Sequence, residues 1–260
     1  MILGELYGGR LPQAGGVISL VGAGGKTTLM FRIARELAAA GETVLTTTTT
    51  RIYRPEPVQS AQVVVAAEPA AALAQLAHRL RRSRHVTAAA GWIPEAGKLA
   101  GYPPESVSAL RAAGLFRWIL VEADGAARRP LKAPAAHEPV IPAYSDWVIA
   151  VAGMAAVGRP LDARWVFRPE RFGALAGISA GEPVTPDAIA AVLLHPQGMM
   201  KGLGLKAARC VFLNQLDLPG AAEAARAVCV ALARSIYEPV DRILIGSAAE
   251  NGTVAPAEGC

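Results

Sequence analysis

Residues 17–30 read VISLVGAGGKTTLM, in which an apolar strand runs into a glycine-rich turn and then directly into an amphipathic helix. Glycines let the backbone curl with its amides pointing inward, and the helix N-terminus adds a partial positive charge. Lys26 can reach the outer phosphates of a ligand, and Thr27 can ligate Mg²⁺. We therefore predict a phosphate site formed by Gly22, Ala23, Gly24, Gly25, Lys26, Thr27 and Thr28.

This turn, hereafter the phosphate loop (residues 22–28), matches a short form of the motif, GxxGKT. The longer form, GxxxxGK[ST], would require glycine where this chain has Leu20. The alternative is a glycine-rich turn that only packs a helix on a sheet, although a lysine and two threonines would then stand at the helix start by coincidence. Because Lys26 is at the start of a helix, we expect it to lie outside the core.

Short apolar runs alternate with helical stretches along the rest of the chain, which is typical of a mostly parallel, doubly wound α/β sheet of P-loop NTPase type. Strands are predicted at Val17–Val21, Thr43–Thr47, Gln62–Ala66, Trp118–Glu122, Trp147–Val151, Cys210–Leu213 and Arg242–Ile245. Helices are predicted at Lys26–Ala40, Pro69–Arg82, Glu105–Ala113, Pro186–Leu194 and Pro219–Ile236.

The segment from residue 158 to residue 205 interrupts this alternation with many Gly, Pro and Arg residues. It predicts a small helical insertion or lid. A chain of 260 residues fits one α/β domain over its whole length, since such folds often exceed 200 residues as a single unit. We therefore expect one domain over residues 1–260 that carries this insertion.

An acidic strand end forms a second motif, WILVEADGAARRPLKAPAAHEPVIP, at residues 118–142. Glu122 and Asp124 are two residues apart, so both lie on the same side of the strand, about 6.6 Å apart along it. One carboxylate can hold Mg²⁺ through water while the other orients or deprotonates a nucleophile. The alternative is an ordinary strand exit with two solvated acids.

The loop that follows is basic. Arg128, Arg129 and Lys132 are candidates for neutralising transferred phosphate or docking an anionic substrate, and His137 with Glu138 for a proton-transfer pair. A solvated basic loop explains the cations equally well, and an apolar-flanked histidine is often only a hydrogen-bonding spacer. We keep Arg128 as a candidate for ligand binding, and Lys26, Glu122, Asp124 and His137 as candidate catalytic residues.

The sequence VFLNQLD, residues 211–217, resembles the NKxD element with which GTP-binding proteins hold guanine. Asn214 and Asp217 take the Asn and Asp positions, and Gln215 replaces the lysine that lies along the base. An Asn-capped turn before the last helix is the alternative. The predicted nucleotide is ATP or GTP, bound with Mg²⁺.

The overall composition argues against nucleic-acid binding and against a membrane span, and it favours a reducing compartment. The 26 Lys and Arg against 21 Asp and Glu give a net charge of +5, and only 5% of the chain is aromatic, so no base-stacking surface for nucleic acid is predicted. No apolar run reaches the length of a membrane span. Cys210, Cys229 and Cys260 are widely spaced without zinc-site spacing, which favours a reducing compartment, and we expect a cytoplasmic protein.

Four motifs in this order resemble the YqeC family: VGAGGKTT (residues 21–28), VLTTTTTRIY (44–53), the acidic-to-HEPVIP segment (121–142) and VFLNQLD (211–217). Members are described as accessory proteins of selenium-dependent hydroxylases. The resemblance implies a role in maturing selenium-dependent molybdenum hydroxylases or their selenium cofactor.

The short phosphate loop is also similar to that of Mur ligases, which activate a carboxylate as an acyl phosphate, although no counterpart of their C-terminal domain follows Asn214. We expect a nucleoside triphosphatase or phosphotransferase. The alternatives are a nucleotide-switched cofactor chaperone without catalysis, a Mur-like amide ligase, and a kinase or nucleotidyltransferase acting on a small cofactor.

Overall fold

The computed structural model of the protein describes residues 1–204, 206–249 and 251–257. Seven α-helices are described: α1 (Ile2–Leu6), α2 (Lys26–Ala39), α3 (Pro69–Leu80), α4 (Pro104–Ala112), α5 (Pro169–Ala176), α6 (Pro186–Leu194) and α7 (Ala221–Ala233). The five predicted helices correspond to α2, α3, α4, α6 and α7.

The described strands are β1 (Gly16–Gly22), β2 (Val44–Thr48), β3 (Arg51–Tyr53), β4 (Val63–Val65), β5 (His85–Ala89), β6 (Gly91–Ile93), β7 (Lys98–Ala100), β8 (Trp118–Glu122), β9 (Leu131–Lys132), β10 (Trp147–Gly153), β11 (Val166–Phe167), β12 (Ala208–Asn214), β13 (Arg242–Gly246) and β14 (Val254–Pro256). All seven predicted strands are present. Two strands of the main sheet, β5 and β14, were not predicted, nor were the short strands outside it.

Nine strands form the main sheet in the order β14-β13-β12-β10-β1-β8-β2-β5-β4. Every neighbouring pair is parallel except β13 and β14, which are antiparallel at one edge. The prediction of a mostly parallel sheet is confirmed. A smaller sheet, β3-β7-β6, follows β2 and lies at its carboxyl end, where the Tyr102 amide donates to the Thr48 carbonyl at 3.0 Å.

Apolar side chains cover both faces of the main sheet, which makes the fold doubly wound. On one face, Ile18 and Leu20 of β1 pack with α1 and α2. On the other face, Val17 packs with α3 and α4, and Val21 packs in the cluster that contains α6 and α7. Because parallel strands covered on both faces need apolar side chains in both directions, the short apolar runs of the sequence follow from this layering.

The connection between β10 and β12 contains β11, α5 and α6, so the segment after residue 158 is helical in part. Its predicted end, Leu205, lies outside the described residues, as does Cys260. That the segment 158–205 acts as an insertion or lid stays a prediction. That residues 1–260 form one domain also stays a prediction. No helix in the described ranges combines the length and apolar character that crossing a membrane requires.

Candidate functional site

The phosphate loop lies at the carboxyl end of β1, between the ends of β8 and β10. Two of its first amides are held by neighbouring backbone: the Ala23 amide donates to the Val151 carbonyl at 2.8 Å and the Gly24 amide to the Arg129 carbonyl at 3.0 Å. The first turn of α2 follows at Lys26. Because the first backbone amides of a helix have no partner within it, this turn offers N–H donors to a ligand at the carboxyl ends of the strands.

Gly25 shows why the loop requires glycine. Its φ of 124° is a conformation that side chains rarely adopt, and a Cβ at this position would collide with the Nδ2 atom of Asn214. The side chain of Asn214 in turn donates from Nδ2 to the Gly24 carbonyl at 2.6 Å, and its Oδ1 accepts from the backbone amide of Ala248 at 2.7 Å. The loop is therefore fixed to the end of β12 and to the segment after β13.

Lys26 is buried, with only 4% of the residue exposed, so the expectation that it lies outside the core is wrong. Its ammonium donates to the Gly22 carbonyl at 2.7 Å and lies 3.2 Å from Asp124 Oδ1 and 3.8 Å from Glu122 Oε1. Burial by itself lowers the pKa of Lys26, but the carboxylates of Asp124 and Glu122 outweigh it and the net direction is upward. The lysine is therefore charged, and both carboxylates lie near its ammonium.

Glu122 lines the cavity beside the loop. It accepts a hydrogen bond of 2.7 Å from the Thr27 hydroxyl. Burial raises the pKa of Glu122, against the opposing effects of Lys26 and the Thr27 hydroxyl. A hydroxyl and a carboxylate side by side are oxygen ligands of the kind Mg²⁺ takes, with water completing its shell, so these residues fit the metal.

Asp124 is fully buried and faces the protein rather than the cavity. It accepts from the Gly22 amide at 3.0 Å and forms an ion pair of 2.9 Å with Lys132. In this arrangement Asp124 supports the loop from behind, while Glu122 is the acid placed beside Thr27. The predicted metal or base role of Asp124 remains untested.

A chain of buried charges continues from Asp124 into the following loop. Lys132, fully buried, also donates to Glu138 at 2.8 Å, and Arg168 at the start of α5 donates to the same carboxylate at 2.7 Å. These two hydrogen bonds outweigh burial and lower the pKa of Glu138 to about 2. Lys132 was a candidate for neutralising phosphate or docking an anionic substrate, with a solvated loop as the alternative. It is instead buried between the carboxylates of Asp124 and Glu138.

His137 is exposed, next to this network but outside the cavity wall, and its catalytic role stays a prediction. Arg168 was missed by the sequence analysis. Its partner Glu138 is 30 residues away along the chain, and only the fold brings the two together. The dipeptide Arg168-Pro169 has no feature that distinguishes it from other helix starts.

At the proposed base-binding end, Asn214 holds the phosphate loop and Asp217 is exposed on the cavity wall. Gln215 has a left-handed backbone, φ 73°, and its side-chain carbonyl accepts from the Ala155 amide at 3.2 Å. Gln215 is therefore engaged with the turn after β10. Recognition of a base by Asp217 stays a prediction.

One cavity of about 690 Å³ contains these elements. Its wall includes Gly24–Thr28, Glu122 and residues 214, 215 and 217, together with a group of cations that the sequence analysis identified only in part: Arg51, Arg54, Lys98, Arg128 and Arg129. Its position at the carboxyl ends of parallel strands is where α/β proteins bind their ligands. Arg128, predicted to bind ligand, lines it.

These features define an α/β protein of P-loop NTPase type. They are a mostly parallel sheet, a glycine-rich loop between β1 and α2, and an acidic residue at the end of the adjacent strand. The sequence profile of the YqeC protein family matches residues 18–170. The chain is also 37% identical over 201 residues, 77% of its length and 76% of the relative's, to the "Uncharacterized protein YqeC" of Escherichia coli K12. This chain belongs to the YqeC family.

Among solved structures, the signal recognition particle 54 kDa protein of Aeropyrum pernix K1, in complex with GDP, aligns with a TM-score of 0.41 and 16% identity. The alignment covers 95% of this chain and 45% of that one. FtsY of Mycoplasma mycoides aligns with a TM-score of 0.37 and 13% identity, over 94% of this chain and 66% of that one.

Proposed function

We propose that this protein binds a nucleoside triphosphate with Mg²⁺ and hydrolyses it or transfers its terminal phosphoryl group. The observation that carries the proposal is the 2.7 Å hydrogen bond from Thr27 to Glu122, beside the ammonium of Lys26. A hydroxyl at the helix start, a carboxylate from the adjacent strand and a lysine are the three side chains that this chemistry needs beside a phosphate loop.

Lys26 is the residue that would reach the outer phosphates. In the structure its charge is balanced by Asp124 and Glu122, and phosphate oxygens can replace these contacts. Asp124 would not be left unpaired by that change, because it retains Lys132 at 2.9 Å and the Gly22 amide at 3.0 Å. The second lysine thus allows the first to turn toward a ligand without exposing an uncompensated buried charge.

When bound, Mg²⁺ would supply charge neutralisation for the phosphates. Thr27 and Glu122 are the residues that would hold it, with Glu122 acting directly or through a water molecule. The amides in the first turn of α2 would bind phosphate oxygens, and Asn214 would keep the loop in the required shape.

The test compares Thr27→Ala with Thr27→Ser in calorimetric titrations with non-hydrolysable ATP and GTP analogues, with and without Mg²⁺. We expect Mg²⁺ to increase the affinity of the wild-type protein and of Thr27→Ser. Thr27→Ala should bind with the same affinity in both conditions, because it has lost the hydroxyl that faces Glu122. Equal stimulation by Mg²⁺ in all three proteins, or no binding of either analogue, would rule the proposal out.

Membership of the YqeC family supports extending the proposal to the maturation of selenium-dependent molybdenum hydroxylases or their cofactor. Such a hydroxylase, isolated from cells that lack this protein, should have reduced activity. Activity should return with the wild-type gene and not with Thr27→Ala. A cytoplasmic location is part of the same proposal.

A further inference from the structure

One wall of the cavity is basic and is built largely from the small sheet β3-β7-β6. Arg51 and Tyr53 come from β3, Lys98 from β7, Arg54 from the residue after β3, and Arg128 from the loop after β8. We call these five residues the basic wall. Tyr53 is 46% exposed, so its ring is accessible beside the cations.

The cations of the basic wall lack carboxylate partners among the described residues. Elsewhere on the surface arginines do find such partners, as in the pairs Arg164–Asp162 at 2.7 Å and Arg209–Glu238 at 2.6 Å. In the basic wall, Arg128 lies 4.4 Å and Lys98 4.8 Å from the centre of the Tyr53 ring. Contact with an aromatic ring orients a cation without neutralising it, so the positive charge remains available to a ligand.

The backbone that carries Arg128 is itself strained. Ala127 and Arg128 have φ values of 47° and 59°, in the left-handed region that residues other than glycine rarely occupy. Such conformations cost free energy and cluster where a side chain must be aimed at a ligand. Here the strained pair places Arg128 over Tyr53 and against the cavity.

The order of the strands separates the basic wall from the predicted base-binding end. Asn214 ends β12 and Asp217 follows it, two strands from β1 on one side. β3 follows β2, two strands from β1 on the other side. At about 4.8 Å per strand, the ends of β12 and β2 lie roughly 10 Å from the end of β1, in opposite directions. A nucleotide with its base near Asp217 and its phosphates on the loop therefore leaves the basic wall free.

We propose that the basic wall binds the oxyanion, a phosphate or a carboxylate, of a second small-molecule substrate beside the nucleotide. This inference rests on the proposed function, because a second substrate requires that a nucleotide is bound as the first. Guanidinium and ammonium groups suit both kinds of oxyanion. The shared cavity brings that anion to the side of the phosphate loop that the nucleotide's base does not use.

The test uses the full-length protein in two calorimetric titrations. The first measures non-hydrolysable ATP and GTP analogues with Mg²⁺. The second adds inorganic pyrophosphate or citrate to protein saturated with the better analogue. The variant is Arg54→Gln with Lys98→Gln, and the control of equal charge change is Arg81→Gln with Arg82→Gln, two exposed residues at the end of α3.

We expect pyrophosphate or citrate to bind the saturated protein, and the stronger of the two to identify phosphate or carboxylate as the preferred group. Loss of two charge-assisted contacts should weaken this binding at least about tenfold in Arg54→Gln/Lys98→Gln, with the affinity for the analogue unchanged. The control should match the wild type.

Two results would overturn the inference: no binding of either anion to the saturated wild-type protein, or equal binding by variant and wild type. Failure of the proposed function gives a different result, since neither analogue would then bind in the first titration. In that event the second titration is made on nucleotide-free protein. A loss confined to Arg54→Gln/Lys98→Gln would retain the anion site, and equal binding would remove it.

Discussion

Lys132 and Asp124 form an ion pair of 2.9 Å in which both side chains are fully buried. Asp124 also faces Lys26, and Lys132 also faces Glu138, so four charges alternate in sign from the phosphate loop inward. Removing water from charges is costly, and such a group is stable only while each member keeps its partners. The network makes the loop depend on Asp124, Lys132 and Glu138, which do not line the cavity.

Replacing Lys132 by methionine should destabilise the protein strongly. The change leaves Asp124 and Glu138 with fewer cationic partners in the interior, and removing one partner of a buried pair typically costs about 3–5 kcal/mol. Urea unfolding at pH 7, followed by circular dichroism, measures the change in free energy of unfolding. Arg164→Met, which breaks an exposed pair with Asp162, is the control and should have no measurable effect. A loss for Lys132→Met as small as the control's would contradict the network.

The same network makes a prediction for acid pH. The ordinary pKa of Glu138 is 4.5, and in the folded protein its pKa is about 2. A folded pKa below the unfolded one means that ionised Glu138 stabilises the fold above about pH 4.5, and that this contribution is lost as the pH falls toward 2. Wild type should therefore exceed Glu138→Gln in stability at pH 7, by a margin that shrinks between pH 4.5 and 2.

Urea unfolding of both proteins at pH 7, 5, 4 and 3 tests this prediction. All other titrating groups are common to the two proteins and cancel in the difference, including His85, whose pKa burial lowers to about 4. A difference in unfolding free energy that is constant across this range would show that Glu138 is not held ionised by Lys132 and Arg168.

Most strands of the main sheet could be predicted because they are buried on both faces. Such strands require apolar side chains on both sides, and they therefore appear in the sequence as continuous apolar runs. The exceptions are β14 and β5. β14, VAP, is a three-residue antiparallel strand at the edge of the sheet and is partly exposed, so it has no buried apolar run. In β5, HVTAA, alanines favour a helix by propensity and a histidine and a threonine interrupt the apolar pattern. Tertiary contacts decide instead: the Thr46 hydroxyl lies 2.9 Å from His85 Nε2 and 2.8 Å from the Thr87 hydroxyl. These hydrogen bonds are formed only once β2 and β5 are neighbours.

The candidate site likewise contains residues that local sequence patterns predict and residues whose surroundings only the fold determines. The phosphate loop and Glu122 are local patterns whose geometry follows from strand and helix periods, so the sequence was enough to predict that they lie side by side. The burial of Lys26 and the enclosure of Lys132 depend on the ion pairs with Asp124 and Glu138, and no spacing rule encodes them. Cations on or next to short strands, such as Lys98 in β7 and Arg54 after β3, likewise meet only through folding.

Asn214→Ala should weaken binding of ATP and GTP analogues alike. The asparagine fixes the phosphate loop through Gly24 and the segment after β13 through Ala248, and neither contact distinguishes one base from another. Losing buried hydrogen bonds of this kind should lower both affinities roughly tenfold. Asn251→Ala, at an exposed position, is the control for calorimetry and should match the wild type. A loss for only one nucleotide would instead make Asn214 a base-selecting residue.

Asp217→Ala tests base selection directly, because Asp217 is exposed on the cavity wall and its loss disturbs no buried contact. A carboxylate accepts two hydrogen bonds from guanine, and a site built for such bonds discriminates strongly against a base that cannot make them. Affinity for the GTP analogue should fall by about tenfold or more while that for the ATP analogue is unchanged, so the ratio of the two dissociation constants is the measurement. An equal loss for both analogues, or none for either, would exclude guanine recognition by Asp217. The substitution leaves Asn214 and the loop intact, so its effect is separable from that of Asn214→Ala.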